Sequence, residues 1–405
     1  MLGLLILKRL RLNVLSLKFF YGLLLFIGSA VLSGVVMTET LIGRMRYAQA
    51  REMEWRNALE TARTYDLTFG QVILTPPLLS IVAEGVGDRL GMIARVFGHF
   101  GGVRIGGQAQ SNRLLVLRSI DLMHVAGLLL SLMAILFTYD AISGERESGT
   151  LRLVLSNGFA RRMMLMSEYL AALATLALAF IPAFLAWLLV VRMAGKLTFT
   201  SDEWKQLLLF LIATGLLTSI YVTAGLLVSS MARESTTSLM LGLALWVLTA
   251  SLYPSLAVGS AARLRPIPPS HAVDERLLWN HAVAQAHLTQ TLQGVSPIFT
   301  FYAFVSRIIG TDLEAYLQFV QYADRYQEQV AAWHRQKLSQ HSGRESRWTS
   351  DPGSLEIDDF PQPAFTLPPL SQRIASSVSF FSILIALQGA LSLLGLLAIQ
   401  RYDVR

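Results

Sequence analysis

The chain has 405 residues, of which 53% are apolar and only 15% carry a charge, whereas soluble domains average roughly 25% charged residues. This composition argues against a soluble enzyme or a nucleic-acid-binding domain and indicates a membrane protein. The formal net charge of +7 then reflects the Lys and Arg residues that collect at the cytoplasmic ends of spans. The chain contains no cysteine, which excludes disulfide bonds, thiolate catalysis and metal sites with Cys ligands.

Six segments are apolar over the roughly 20 residues that a helix needs to cross the hydrocarbon of a bilayer. In chain order they are Phe19–Met37, Leu122–Tyr139, Met164–Val191, Leu207–Ser230, Leu239–Val258 and Ile374–Ile399. Basic residues lie outside the first span, between spans two and three, between spans four and five, and at the C-terminus. All of these fall on one side if both termini are cytoplasmic, so the charge rule and the even number of spans agree.

The N-terminal run allows a second interpretation. The basic residues Lys8, Arg9 and Arg11 precede an apolar stretch, and Ser29–Ser33 offers small residues for cleavage, as in a signal peptide. The apolar stretch is longer than the 7–15 residues typical of a signal peptide. We therefore favour an uncleaved first span, with residues 1–38 forming the cytoplasmic N-terminus and the first transmembrane helix.

Two long segments, 39–121 and 259–373, are expected on the extracytoplasmic side. Loops of this length without structure are uncommon, so we predict that each is a small folded α/β or α-rich domain. In the first, Leu67–Thr75 is typical of a strand, Gly101–Gly107 of a glycine-rich turn and Leu114–Leu117 of a second strand.

The second insertion contains apolar residues at helical spacing. One such stripe is Leu277, His281, Ala284 and Leu288, and a longer one is Leu313, Tyr316, Leu317, Val320, Gln327, Ala331, His334 and Leu338. Residues 351–369 are rich in Pro and indicate an extended connection to the last span. Residues 374–405 then form the sixth helix and a cytoplasmic C-terminus, and 122–258 hold helices two to five.

Few polar residues lie inside the spans. Gln388 is the clearest, and its side chain is expected to form a hydrogen bond to a neighbouring helix, worth about 0.6–2 kcal/mol. Contact with a substrate is the alternative role for this residue.

A charged, glycine-rich segment at about 140–158 separates spans two and three. Such a cluster is too costly to place in hydrocarbon, so it lies at a membrane face. If 142–156 is one helix, Glu145, Gly149, Arg152 and Ser156 share a face, and Asn157-Gly158 ends the helix. An ordinary charged loop held at the cytoplasmic face is the alternative.

The residues from Phe137 to Asn157 read FTYDAISGERESGTLRLVLSN. This stretch resembles the signature of type-2 ATP-binding-cassette (ABC) permeases, close to FD-x-I-x-x-E-R-E-x-G-T-L-x-x-L-L-S, and the large insertions resemble a bacterial subgroup of that family. The resemblance implies a mainly α, polytopic protein of the bacterial inner membrane. One departure is Glu168, where many relatives carry Lys.

The resemblance further implies that this segment is a coupling helix that docks on a cytoplasmic ABC ATPase subunit. Glu145, Arg146 and Glu147 would contact the ATPase, and Gly149 would let its backbone approach. Thr150 and Leu151 would pack the helix against the bundle, while the helical spacing adds Arg152 to the ATPase-coupling residues.

The chain has no G-x-x-x-x-G-K-[ST] phosphate loop, so ATP hydrolysis is expected in a separate subunit and the chain itself is not predicted to be an enzyme. Six spans are few to enclose a pathway, so a second permease subunit is expected, in a homodimer or a heterodimer. No cofactor, metal site or nucleic-acid partner is predicted. His271, His281 and His287 are close in sequence, but without Cys they are better explained as structural or surface residues.

Two functions of different classes remain. The first is the transmembrane permease of an ATP-driven exporter whose substrate the sequence does not identify, although the apolar spans favour a hydrophobic or lipid-linked one. The second is a mechanical transmitter that moves the extracytoplasmic domains to act on a periplasmic partner without moving a solute. A membrane-embedded enzyme is a third class, for which the sequence offers no catalytic constellation.

Overall fold

The computed structural model describes residues 2–86, 90–98, 102–106, 121–149, 161–195, 197–268, 275–340 and 355–400. Its helices are α1 (Leu2–Val14), α2 (Leu17–Glu60), α3 (122–138), α4 (Ser143–Glu147), α5 (Arg161–Gly195), α6 (Ser201–Met231), α7 (Ser235–Leu264), α8 (Glu275–Gln293), α9 (Pro297–Ile309), α10 (Leu313–Gln340) and α11 (Leu370–Gln400). Its strands are β1 (Gly70–Ile73), β2 (Ile93–Val96) and β3 (Val103–Gly106).

Six helices are long and apolar enough to cross a membrane, which confirms the predicted mainly α, polytopic architecture. They are α2, α3, α5, α6, α7 and α11. The helix that contains the first span continues without a break to Glu60. The short helix α1 was not predicted, because its basic residues were read only as a flank of the first span.

The chain divides into two compact units. The membrane unit comprises Met1–Gly34, Leu122–Val305 and Ser376–Arg405, and the insertion unit comprises Val35–Asp121 and Ser306–Ala375. Helix α8 and residues 297–305 of α9 therefore belong to the membrane unit, although both helices lie in the second predicted insertion. Helix α2 contributes residues to both units.

Within the membrane unit, α3 and α6 pack closely through small residues. Ala126 and Ala134 are fully buried, and a side-chain carbon placed on Gly225 of α6 would lie 2.0 Å from the Thr138 hydroxyl. Thr138 in turn donates to the carbonyl of Ala134 at 2.7 Å. Small residues at such an interface let two backbones approach, which is the main source of helix association where water does not drive apolar groups together.

Polar side chains within the spans are used for bonds between helices. The Gln388 amide nitrogen of α11 donates to the Thr223 hydroxyl of α6 at 3.1 Å, which confirms the predicted bond across helices. The Trp246 indole nitrogen of α7 donates to the Ser131 hydroxyl of α3 at 2.9 Å.

The insertion unit is built around a three-stranded antiparallel sheet in the order β1-β2-β3. Val72 pairs with Ala94, which pairs with Ile105. Helix α10 covers one face of this sheet, so closely that a side-chain carbon on Gly70 would lie 2.4 Å from the Tyr326 ring. Strands of four residues bury too little surface to form a stable domain alone, and α10 supplies the missing apolar face.

This arrangement corrects the expectation of a separate folded domain in each insertion. The described residues of both insertions share one compact unit, because the sheet from the first needs the buried face of α10 from the second. The longer predicted helical stripe is confirmed as α10, with Tyr316, Val320 and His334 buried.

The glycine-rich turn predicted at Gly101–Gly107 is partly wrong. Within it, Val103–Gly106 forms β3, and only Gly102 of the described residues takes a left-handed conformation, with φ of +66°. The strand predicted at Leu67–Thr75 is confirmed in its central part as β1. The strand predicted at Leu114–Leu117 lies outside the described residues.

Buried ion pairs hold the insertion unit together. Arg44 pairs with Glu84, and Arg307 pairs with Asp312 at the start of α10. Burial raises the pKa of Asp312 above its ordinary value, although the charge of Arg307 opposes this rise. Lys337 pairs with Asp359 at 3.1 Å and ties α10 to the segment that precedes α11.

The close contact at Gly225 generates a test of the helix packing. Gly225→Ala is expected to destabilise the protein by about 1–3 kcal/mol, because the added methyl group overlaps the Thr138 side chain. Thermal unfolding of the purified protein in detergent measures this effect. Gly215→Ala on the same helix meets nothing within 4 Å and is the matched control. Equal melting temperatures for the two variants would contradict the packing.

Candidate functional site

The charged segment begins where α3 ends and forms the short helix α4. The helix predicted over 142–156 is wrong as one continuous element, since α4 ends at Glu147. Gly149 adopts a φ of +72°, and its amide nitrogen donates to the carbonyl of Arg146 at 3.1 Å. A left-handed glycine of this kind ends a helix. The glycine that ends the helix is therefore Gly149, nine residues before Gly158, at which the sequence predicted its end.

The N-terminus of α4 is anchored in the membrane unit by a buried serine of α6. The amide nitrogens of Ile142 and Ser143 donate to the Ser229 hydroxyl at 3.0 and 3.1 Å. The Ser143 hydroxyl donates to the carbonyl of Tyr139 at 2.7 Å. These bonds satisfy backbone groups that would otherwise be unpaired at the helix start.

Arg146 binds the end of α6. Its two terminal guanidinium nitrogens donate to the carbonyls of Ala232, at 2.6 Å, and Ser230, at 3.0 Å. These carbonyls lie at the C-terminal end of α6, where the helix dipole is negative and a cation is favourable.

Glu147 binds the start of α7. Its carboxylate accepts from the amide nitrogen of Ser235 at 3.1 Å and from the Ser235 hydroxyl at 2.7 Å. The N-terminal end of a helix favours an anion. Arg146 and Glu147 are adjacent in α4 and carry opposite charges. Arg146 thus binds the C-terminal end of α6, and Glu147 binds the N-terminal end of α7. We name residues 230–235 the α6–α7 turn.

Two further ion pairs surround α4. Lys18, near the start of α2, donates to the Asp140 carboxylate and the Tyr139 hydroxyl, both at 3.1 Å. Arg9 of α1 pairs with Glu168 of α5 at 2.8 Å. The acidic residue that departs from the family pattern therefore has a basic counterpart in α1. From the sequence, the Arg9–Glu168 pair could be found only by asking which basic residue neutralises Glu168.

The surface beside α4 forms an open, polar recess of about 530 Å³. Its lining residues are Arg9, Tyr139, Asp140, Gly144, Glu145, Glu147, Ser148 and Ser235. Three carboxylates face one basic side chain in this set. A recess of this charge is suited to a protein surface that carries Lys and Arg.

The structure thus brings together four of the seven residues predicted for ATPase coupling. Glu145, Arg146, Glu147 and Gly149 lie within or next to α4, whereas Thr150, Leu151 and Arg152 lie outside the described residues. Arg146 and Glu147 are bonded within the chain. A side-chain carbon on Gly149 would meet no atom within 4 Å, so its described role is conformational.

Two of the three histidines considered for a metal site are described by the structure. His281 and His287 lie on α8, and His271 is outside the described residues. Across the described ranges, no group of three or more His, Asp or Glu side chains could hold a metal ion.

A family model for ABC-2 family transporter protein matches residues 14–401. The chain belongs to the ABC-2 transporter family. It is accordingly a multi-pass membrane protein of the permease type, the membrane-spanning kind of subunit in this family. No curated protein matches the chain closely.

In this ABC-2 permease, the anchoring role of Arg146 can be tested directly. Arg146→Gln is expected to weaken the attachment of α4 by about 1.5–3 kcal/mol, the range for hydrogen bonds from a charged group. Hydrogen–deuterium exchange of residues 143–149 should become faster in this variant. Arg233→Gln, an exposed arginine in the same turn, is the control and should leave the exchange unchanged. The same exchange rate in all three proteins would contradict the anchoring.

Proposed function

We propose that the chain is the permease subunit of an ABC exporter, and that a separate cytoplasmic ATPase docks at the recess beside α4. The single observation that carries this proposal is the attachment of α4 to the α6–α7 turn by Arg146 and Glu147. Force applied to α4 by a docked subunit would reach two membrane-spanning helices at once. A force-transmitting element must contact both the moving subunit and the helices that respond.

The charge of the recess supports the docking site. Glu145 is half-buried and lines the recess, which places its carboxylate where it can contact a basic surface. In this proposal Thr150, Leu151 and Arg152 keep the coupling roles that the resemblance implies. The recess faces the cytoplasm, both termini lie there, and the membrane is the bacterial inner membrane.

A second permease subunit completes the pathway in this proposal. Only 6% of the most apolar stretch of α11 and 17% of that of α7 are buried within the chain, against 67% for α6. Lipid and a second permease subunit, identical or related, would cover these exposed faces. An amphiphilic or lipid-linked substrate fits such apolar spans better than an inorganic ion does.

The insertion unit favours a second candidate function, that of a mechanical transmitter. This unit is compact and has its own sheet and buried ion pairs. A folded unit of this kind would offer a stable surface to a periplasmic partner. ATP hydrolysis would then move the insertion unit without any solute crossing the membrane.

Flux through vesicles distinguishes the two functions. The chain is reconstituted with the ATPase encoded beside it, and ATP-dependent movement of a fluorescent phospholipid between leaflets is measured. The exporter proposal expects flux that requires ATP and both subunits. ATPase activity that a periplasmic protein stimulates, without any flux, would favour the transmitter.

Charge reversal tests the docking site. Glu145→Lys is expected to reduce co-purification of the ATPase by about tenfold, because it places a like charge against a basic surface. Glu60→Lys, an exposed carboxylate at the end of α2, is the matched control and should co-purify as the unaltered chain does. Undiminished co-purification of the Glu145→Lys protein would remove the basis for docking at this recess.

A further inference from the structure

The insertion unit contains a basic cleft that the proposed transport cycle does not use. Its volume is about 320 Å³, and it lies between α2 and the strands β2 and β3. Three arginines line it together with aromatic and apolar residues: Arg51, Arg95, Arg104, Tyr47, Phe97, Ile93, Ile105 and Gly106.

Two of these arginines are direct neighbours across the sheet. Arg95 of β2 pairs in register with Arg104 of β3, which puts their side chains on the same face. Residues opposite each other in antiparallel strands have Cβ atoms about 4.5–5.5 Å apart, and like charges in such pairs are destabilising. Within the described residues, neither arginine forms an ion pair with a carboxylate. Among the described residues, the fold therefore places two like charges side by side without a carboxylate partner.

Aromatic rings hold the guanidinium groups in place. Arg95 lies over the Phe69 ring at 5.8 Å, and Arg104 lies over the Phe97 ring at 5.6 Å. The two rings contact each other with centroids 5.8 Å apart. Cation–π contacts of this kind restrict the two side chains before any ligand arrives, so less side-chain entropy is lost on binding.

The third arginine approaches from the helix. Arg51 of α2 lies 5.1 Å from the Tyr47 ring and pairs with Glu54 at 2.7 Å. Since Glu54 compensates Arg51, the cleft retains two positive charges from Arg95 and Arg104. A carboxylate would neutralise one of them, whereas a phosphate monoester carries about −1.5 to −2 at pH 7 and offers three acceptor oxygens.

We infer that this cleft binds a phosphate monoester group between Arg95 and Arg104, with Arg51 at its edge. Guanidinium groups bind phosphate through paired N–H donors, and the anion relieves the repulsion between the two strands. The phosphate can belong to a free anion or to the head group of a lipid, and the chemistry of recognition is the same. This inference does not depend on the proposed transport function.

Binding of inorganic phosphate to the full-length protein in detergent tests the cleft. Isothermal titration is expected to give saturable binding to the unaltered chain, with affinity about tenfold weaker in R95Q and in R104Q because each loses one charged donor pair. R325Q is the matched control, since Arg325 is exposed on α10 of the same unit and does not line the cleft. It should bind phosphate within about twofold of the unaltered chain.

Thermal unfolding adds a readout that a purely structural role would not produce. Without phosphate, the melting temperature of R104Q should lie close to that of the unaltered chain, because the substitution removes both the like-charge pair and the contact with the Phe97 ring. Phosphate should raise the melting temperature of the unaltered chain, and it should raise that of R104Q much less. If phosphate raises the melting temperature of R104Q as much as that of the unaltered chain, Arg104 does not bind the anion and the inference is overturned.

Two competition arms identify the ligand. Acetate at the same concentration should not displace phosphate, and displacement would overturn the assignment to a dianion. Phosphatidic acid in nanodiscs, compared with phosphatidylcholine, should displace phosphate if the source is a lipid head group. Phosphate binding that phosphatidic acid leaves unchanged supports the cleft as a site for the free anion. Absence of saturable phosphate binding at millimolar concentration would reject the site.

Discussion

The membrane unit depends on one constraint, which is that polar groups at the edge of the hydrocarbon must find partners within the chain. Residues 142–147 meet this constraint through α6 and α7 rather than through water alone. Ser229 accepts the first backbone amides of this segment, Arg146 binds the last carbonyls of α6, and Glu147 binds the first residues of α7. The charges that keep the segment out of the bilayer therefore also attach it to two spans.

A similar dependence on distant partners organises the insertion unit. Its sheet has strands of four residues, and helix α10, more than 200 residues further along the chain than β3, covers one face. The other face carries Arg95 and Arg104 in register, a like-charge pair of the kind that is unfavourable in antiparallel sheets. Two adjacent guanidinium groups are also what recognition of a phosphate requires.

The sequence predicts the features that local physics determines. Hydrocarbon thickness sets the length of each span, so hydropathy identifies all six, and the 3.6-residue period identifies α10. The position of the charged segment follows from its cost in lipid. The bond from Gln388 could also be anticipated, because an amide in a span has few alternatives to a neighbouring helix.

Features that arise from long-range contacts could not be predicted. The end of α4 at Glu147 depends on the left-handed Gly149, whereas Gly158 offered an equally good stop in the sequence. The composite core of the insertion unit follows from contacts between segments that no local pattern connects. The bonds of Arg146 and Glu147 to the α6–α7 turn likewise join residues about 85 positions apart. From the sequence alone, these two charges could be assigned only to a membrane face and to contact with a partner subunit.

The central claim is that α4 and the α6–α7 turn move as one body. Since the chain has no native cysteine, Ser148→Cys and Arg233→Cys allow spin labels to be placed at two exposed positions, one directly after α4 and one in the α6–α7 turn. The distances between the labels are measured by continuous-wave electron paramagnetic resonance with the ATPase present. Their distribution should be narrow, and it should be the same without nucleotide and with ATP. A distance that broadens or lengthens when ATP binds would show that the two elements separate, and would contradict the account.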